Sequence, residues 1–167
     1  MVEENPYKPT TAALREPPRP PRSPVSAILA GLGVDVGGSF LSSVVVAIAY
    51  STMLAARGRT PEQMVEELIA VTASTGYLIV GAIVGSAFSL LGGYLCARMV
   101  RRDEHRFGAI MAVLSMLIGL VLGGTRMGAG LHALMLLSTF VSVMAGAELG
   151  RRRNVADERK ANVATAA

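Results

Sequence analysis

Four long apolar segments, separated by charged connections, dominate the pattern of hydrophobic and polar positions along the chain. They cover residues 25–50, 75–97, 107–124 and 131–149, and within them Asp35 and Glu148 are the only Asp, Glu, Lys or Arg residues. A helix rises 1.5 Å per residue, so about 20 apolar residues cross the roughly 30 Å hydrocarbon layer of a bilayer. The pattern predicts an all-α fold, an integral membrane four-helix bundle whose third span is the shortest.

The connection between the first two spans, residues 51–74, contains the pattern of a short amphipathic helix. Thr60 precedes Pro61 and is followed three residues later by Gln63, which is the arrangement of an N-cap, a first-turn proline and a capping box. Apolar side chains then recur along one face, with glutamates largely opposite. We expect this helix to lie at the membrane interface, and a lid over a pore is the alternative.

Lys and Arg residues are distributed unequally between the two sets of connections. Thirteen lie before residue 25, between residues 98 and 106, or after residue 150, whereas Arg57, Arg59 and Arg126 lie in the other connections. The positive-inside rule then predicts that both termini and the middle loop are cytoplasmic. The predicted layout is a disordered Pro-rich tail over residues 1–24, a transmembrane domain over residues 25–150, and a basic then polar tail over residues 151–167.

Composition agrees with a membrane protein and points to no catalytic chemistry. Apolar residues make up 51% of the chain and charged residues 17%. The net charge of +4 is split among three segments without interleaved aromatic residues, so a nucleic-acid partner is not predicted. Cys96 is the only cysteine, which excludes an internal disulfide and a cysteine-based metal cluster. No nucleophile–base pair, phosphate loop or metal-ligand spacing occurs, so we predict no enzyme, no metal and no cofactor.

Small residues recur every four positions along the second and fourth spans. They are Gly81, Gly85, Ser89 and Gly93 in the second span, and Ser138, Ser142, Gly146 and Gly150 in the fourth. Small side chains let helix backbones approach closely in lipid, where the hydrophobic effect does not drive helices together. We expect these residues to pack helices within the bundle or against a partner chain. Gly37 and Gly38 in the first span are expected to permit close packing or local unwinding.

Asp35 is the best functional candidate, because it lies about ten residues into the first span. An ionisable group at bilayer depth costs roughly 2.5 to 3.5 kcal/mol, and such a group commonly marks a site. Its distance from Val25 is about 15 Å along the helix axis, near the midplane. A polar layer at this depth is predicted from Ser39, one turn later, and from the residues near the midpoints of the other spans, Ser86, Ser115 and Thr139.

The absence of Lys and Arg at this depth predicts a neutral Asp35 carboxyl group, hydrogen-bonded to hydroxyl groups. Two interpretations remain open. In one, a protonated aspartic acid only ties helices together. In the other, Asp35 couples to a proton, to a cation, or to a basic residue of a partner.

Two short stretches carry a resemblance to a group of known proteins. Val34-Asp35-Val36-Gly37-Gly38-Ser39, and Gly92-Gly93-Tyr94-Leu95-Cys96-Ala97-Arg98 before His105 and Gly108, resemble features of small uncharacterised four-span bacterial inner-membrane proteins. The resemblance covers about residues 25–150 and implies a fold and a location without a known activity. Two residues separate His105 from Gly108, a departure from a direct His-Gly pair that leaves His105 without an implied role.

Two classes of function follow from these observations. The first is a non-enzymatic integral membrane protein, an accessory or scaffold subunit that packs in the lipid bilayer against itself as a homo-oligomer or against a larger membrane-protein complex. The second is a small proton- or cation-coupled transporter that uses the membrane-embedded Asp35.

Overall fold

The computed structural model describes residues 23–123 and 128–166, and these residues form helices joined by short connections. The prediction of a disordered tail over residues 1–24 falls almost entirely outside the described part of the chain. Four helical stretches are long and apolar enough to cross a membrane. They contain 33, 26, 19 and 35 residues, and the third is the shortest, as predicted. The all-helical class and the four candidate spans are therefore confirmed.

The first long stretch consists of α1 (Pro24–Leu32), a π-helical turn (Gly33–Gly37) and α2 (Gly38–Ala56). It begins where Ser23 caps the helix, because its hydroxyl accepts a hydrogen bond from the Ser26 N–H at 3.3 Å and Pro24 occupies the first turn. It ends before Gly58, whose φ of 73° is favourable only for a residue without a Cβ. The helix thus continues six residues beyond the predicted end at residue 50.

The short helix predicted in the first connection is present as α3 (Pro61–Thr72). Both halves of the capping box form, since the Gln63 N–H donates to the Thr60 hydroxyl and the Gln63 side chain accepts from the Thr60 N–H. Val65 and Ile69 are more than 60% exposed on its apolar face. This exposure is the pattern expected of a helix whose apolar face meets lipid.

Three further helices complete the described chain: α4 (Thr75–Val100), α5 (Glu104–Gly123) and α6 (Ala129–Ala166). Ser74 caps α4 by accepting from the Tyr77 N–H, and Arg101, with a φ of 54°, ends it. The sequence pattern did not indicate that α6 continues without a break past Gly150 as far as Ala166. It does so because the basic and polar residues there are mostly good helix formers.

Consecutive long helices run in opposite directions, so α4 and α6 run parallel, and α4 lies at the centre. Its most extensive contact is with α6, while α1 and α5 also pack on it. We call the end of the bundle that holds Ser23 and the Arg98–Arg106 loop the basic end, and the end that holds α3 the connector end. The buried cluster of apolar side chains lies in the basic-end half and comprises Ala27, Cys96, Val100, Met111, Ala112 and Val143.

Candidate functional site

Asp35 lies in the middle of the π-helical turn, the only such turn in the described chain. A π turn accommodates one extra residue, which rotates the following side chains by about 100° relative to an uninterrupted α-helix. Single π turns occur frequently at functional sites. Gly33 and Gly37 bound this turn, and a Cβ at either position would meet no described atom within 4 Å. The first span therefore deviates from regular α-helix at its one acidic residue.

Asp35 is 5% exposed, and its carboxyl group connects three helices through hydrogen bonds. The Ser89 hydroxyl of α4 donates to Oδ1 at 2.7 Å, and the Ser115 hydroxyl of α5 donates to Oδ2 at 2.6 Å. Both serines are themselves buried. Every buried side-chain nitrogen or oxygen in the described residues has a hydrogen-bond partner, so this polar group is fully satisfied inside an apolar protein.

Serine hydroxyls are suited to a carboxyl group that gains and loses a proton. Each hydroxyl can donate to a carboxylate oxygen, or can accept from a protonated carboxyl while its own hydrogen turns elsewhere. The arrangement around Asp35 can therefore hold either form without moving a backbone atom. A guanidinium or ammonium partner, by contrast, would favour the ionised form.

A cavity of about 630 Å³ extends from Asp35 through the connector-end half of the bundle. Its walls are contributed by α2, α4, α5 and α6, and Phe40 and Leu122, both at least 70% exposed, lie on its rim. Most of the surface is apolar, and hydroxyl groups supply the polar part together with Asp35. The hydroxyl-bearing residues are Ser39, Ser43, Tyr77, Ser86, Ser89, Ser115, Ser138 and Thr139.

The basic-end half of the bundle is closed by direct backbone contact. A Cβ at Gly93 would overlap the Val143 carbonyl group, and a Cβ at Gly146 would overlap the Leu90 carbonyl group. Gly31 of α1 and Gly92 of α4 are also in close contact, since a Cβ on either residue would overlap the carbonyl oxygen of the other. Glycine is required here because the helix axes approach too closely for any side chain. Asp35 thus lies at the boundary between a closed half and an open half.

A polar cluster fastens the helices together at the basic end. Asn154 of α6 is 4% exposed, and its amide donates to the Ala97 carbonyl at 3.0 Å and to Glu104 at 3.1 Å. Arg98 donates to the Asn154 amide oxygen at 2.9 Å and to Asp157 at 2.7 Å. The cluster joins the end of α4 and the start of α5 to α6, so it reinforces the closed half from outside the apolar core.

The four hydroxyl residues predicted to accompany Asp35 all line its cavity, but their contacts differ. Ser115 alone among them is hydrogen-bonded to the carboxyl group. Ser86 pairs with Ser138 at 3.0 Å, and the Thr139 hydroxyl donates to the Met135 carbonyl of its own helix. Ser39 offers its backbone carbonyl to the hydroxyls of Ser42 and Ser43.

The residues predicted to pack helices fall into two groups. Gly93, Gly146 and Gly38 are in tight contact, the last against the Phe88 ring. Gly37, Gly81 and Gly85 instead border the cavity, where a Cβ would meet no described atom within 4 Å. Ser89 and Ser138 form the hydrogen bonds described above, and Ser142 is half-buried. The regular spacing therefore serves two different purposes along the same helices.

Two contributions were not apparent from the sequence pattern. The four-residue spacing predicts a packing role for Ser89, although its position three residues after Ser86 places the two on one helix face and within reach of one polar layer. Asn154 lies outside the apolar segments, and nothing in its local sequence distinguishes it from an exposed helical residue. Its role depends on the unbroken continuation of α6.

No protein-family model, curated protein or solved structure matches this chain.

Proposed function

We propose that this chain is a multi-pass protein of the bacterial inner membrane that acts as a small proton- or cation-coupled transporter, with Asp35 as the ion-binding group. One observation carries the proposal: Asp35 is buried at the inner end of an open cavity, and no Lys, Arg or His belongs to the described residues of its lining. An acidic group in such an environment favours protons and cations over anions, and intramembrane acids of this kind commonly mark ion pathways.

The contrast between the two halves of the bundle supports a carrier rather than a pore. The cavity extends from Asp35 toward the connector end and is open on the side between α2 and α5–α6, whereas glycine-mediated contacts close the path toward the basic end. If the closed half opened while the open half closed, Asp35 would become accessible from the basic end, on the opposite side of the membrane. From the positive-inside rule, we expect the connector-end half to lie on the periplasmic side.

The coupling of transport to a proton or a cation would follow from the free-energy cost of burying the charge of Asp35. A bare carboxylate shut inside an apolar bundle carries a desolvation penalty of several kcal/mol. A proton or a bound cation removes that net charge, so the change between the two openings would be easier when the site is occupied. The serine partners accommodate both the protonated and the ionised acid, which is the property that repeated binding and release require.

Alternating access can be tested without knowing the substrate. In a Cys96→Ser background, Gly85→Cys places a thiol in the cavity and Ala112→Cys places one in the closed half. We expect a membrane-impermeant maleimide to label the first thiol from the connector end. Because maleimide reacts with the thiolate, labelling of the second thiol from the basic end is divided by that of an exposed reference cysteine at the same pH. We expect this ratio to rise as the pH falls. Asp35→Asn should remove this pH dependence. An Ala112→Cys thiol that stays unreactive from either side at every pH contradicts a carrier.

The second candidate is a non-enzymatic accessory or scaffold subunit. It is favoured by the packing of α2, which contacts mainly α4 and α3 and leaves the side of the cavity toward α5 and α6 open. A helix of a second copy or of a larger membrane complex could fill this space. Affinity purification in mild detergent tests this candidate: a stoichiometric partner that also shields the Gly85→Cys thiol would favour it.

A further inference from the structure

We infer that the cavity takes a protonated primary amine carried on an apolar body, and that its ammonium group replaces a proton on Asp35. This inference rests on the proposed function and names the substrate class of the same site. It follows from four properties of the cavity: its charge, the recessed position of the acid, the number of oxygen ligands, and the apolar walls.

The charge of the cavity is balanced by a ligand with one positively charged group. Asp35 contributes the one carboxyl group among the described lining residues, and Tyr77 is the other titratable residue there. The groups that face Asp35 from α4 and α5 are the neutral hydroxyls of Ser89 and Ser115. A single positive charge therefore balances the site, whereas an anion or a dication would leave a net charge in an apolar enclosure.

The recessed position of Asp35 favours a small head group with N–H donors. Asp35 is 5% exposed, and both of its carboxyl oxygens already accept hydrogen bonds. A primary ammonium group is slim and can add charge-assisted hydrogen bonds to these oxygens and to the serine lone pairs. A quaternary ammonium group has no N–H donor, and its methyl groups keep the charge farther from the carboxylate.

The oxygen ligands at Asp35 are too few for a tightly bound divalent metal ion. Calcium takes six to eight oxygen ligands, and magnesium requires a near-octahedral set. Here one carboxylate and two hydroxyls converge, and the described residues contain no group of three or more His, Cys, Asp or Glu arranged to hold a metal. The remaining surface around the acid is largely apolar, which suits an organic body better than a hydrated ion.

The walls of the cavity suit an apolar body of appreciable size. A volume of about 630 Å³ lies within the range of roughly 300 to 1,000 Å³ that is typical of pockets for drug-sized ligands. Leu78, Ile118 and Met135 line it, and Phe40 and Tyr77 add aromatic rings. A ligand with its ammonium group at Asp35 would place its apolar part against these side chains.

Binding would exchange charges one for one. The ammonium group brings one positive charge to the carboxylate, and the proton that neutralised Asp35 leaves to solvent. The net charge of the enclosed site is the same before and after, so either occupant satisfies the requirement for a neutral site. A pH gradient could thereby drive amine movement in the opposite direction.

A matched series of probes tests this inference in the full-length protein reconstituted in lipid nanodiscs. The probe is 4-phenylbutylammonium, and its controls are the N,N,N-trimethyl derivative, 4-phenylbutanol and 4-phenylbutyrate. We expect calorimetry to show saturable binding of the primary amine, with about one proton released per site. The quaternary analogue should bind at least about tenfold more weakly, and the alcohol and the acid should release no proton.

Two variants separate loss of the site from loss of folding. Asp35→Asn removes the charge, and Gly85→Leu fills part of the cavity while leaving Asp35 intact. Each should lower amine affinity at least about tenfold and keep the helical circular dichroism and elution volume of the wild type. Equal binding of amine and alcohol, unaffected by either variant, would reflect partition into lipid and overturn the inference.

The failure of this inference differs from the failure of the proposed function. Release of the Asp35 proton by sodium or potassium ions, but not by the amine, would overturn the substrate class and leave cation coupling in place. If neither the amine nor an inorganic cation changes the protonation of Asp35, and its infrared carboxyl band is the same at every pH, both the inference and the proposed function are wrong.

Discussion

Asp35, Ser89 and Ser115 form a buried unit in which each serine hydroxyl donates to a different oxygen of the Asp35 carboxyl group. A buried donor or acceptor without a partner costs about 1–3 kcal/mol, so removal of the acid affects the serines as well as the acid itself. The unit also joins the π turn to α4 and α5 at the level where the closed half of the bundle ends. Its side chains therefore contribute both to the fold and to the proposed site.

Substitutions at Asp35 should separate these two contributions. Asparagine keeps the size of the side chain and can accept from one serine while donating to the other, so Asp35→Asn should change the thermal midpoint little. Asp35→Leu leaves both hydroxyls without the partner they have now and should destabilise the protein by about 1–3 kcal/mol more than Asn does. Thermal unfolding of both variants in the same detergent measures the difference. Equal midpoints for Leu and Asn would contradict the hydrogen-bonded arrangement.

The depth of this unit was predictable from the sequence, but its hydrogen bonds were not. Counting 1.5 Å per residue places Asp35, Ser86 and Ser115 at one level, and all three line the same cavity. Depth does not determine how each helix is rotated about its axis. The rotation of α4 decides that Ser89 rather than Ser86 reaches the carboxyl group. In the first span, the π turn determines the direction in which the Asp35 side chain points.

At the scale of the helices, α4 shows how one spacing pattern can have two structural results. Gly85 and Gly93 lie two repeats apart in the same run of small residues, yet Gly93 touches the backbone of α6 and Gly85 borders the cavity. The sequence of α4 specifies which face carries the small residues. The separation of the neighbouring helices decides whether that face is in contact, and it depends on all the helices together.

The same substitution at these two glycines should therefore have different effects. Gly93→Ala places a Cβ onto the Val143 carbonyl group and should destabilise the bundle by about 1–3 kcal/mol, because α4 and α6 must separate. Gly85→Ala serves as the matched control in the same helix. Its Cβ enters open space, and the better helix propensity of alanine should leave stability unchanged or raise it by up to about 1 kcal/mol.

Urea or thermal unfolding in detergent, with oligomer size as a second measurement, compares the two alanine variants. A Gly85→Ala protein that is as unstable as the Gly93→Ala protein would show that the cavity is closed by another helix when the protein is in solution. The comparison therefore also tests the division of the bundle into a closed half and an open half.

At the scale of the whole molecule, the charged residues and the helix lengths predict one topology. The 35-residue span at the end of the chain is longer than the roughly 20 residues that a bilayer requires, so α6 must extend beyond the membrane. Its extension holds Arg151, Arg152 and Arg153, and it joins Arg98 and Glu104 through the Asn154 cluster. The helix boundaries and the charge pattern together assign this extension and the basic end to the same side.

This arrangement predicts that both termini are cytoplasmic and that the α3 connection is periplasmic. The motivating observation is the division of Lys and Arg residues, thirteen on one set of connections and three on the other. Fusions of a periplasm-dependent and a cytoplasm-dependent reporter after residue 167, and insertions of the same reporters at Gly58, measure each location. We expect the cytoplasmic reporter alone to be active at the C-terminus and the periplasmic reporter alone at Gly58. Because the four spans alternate in direction, a periplasmic C-terminus would mean that the whole bundle is inverted, with the connector-end half and the Asp35 cavity on the cytoplasmic side.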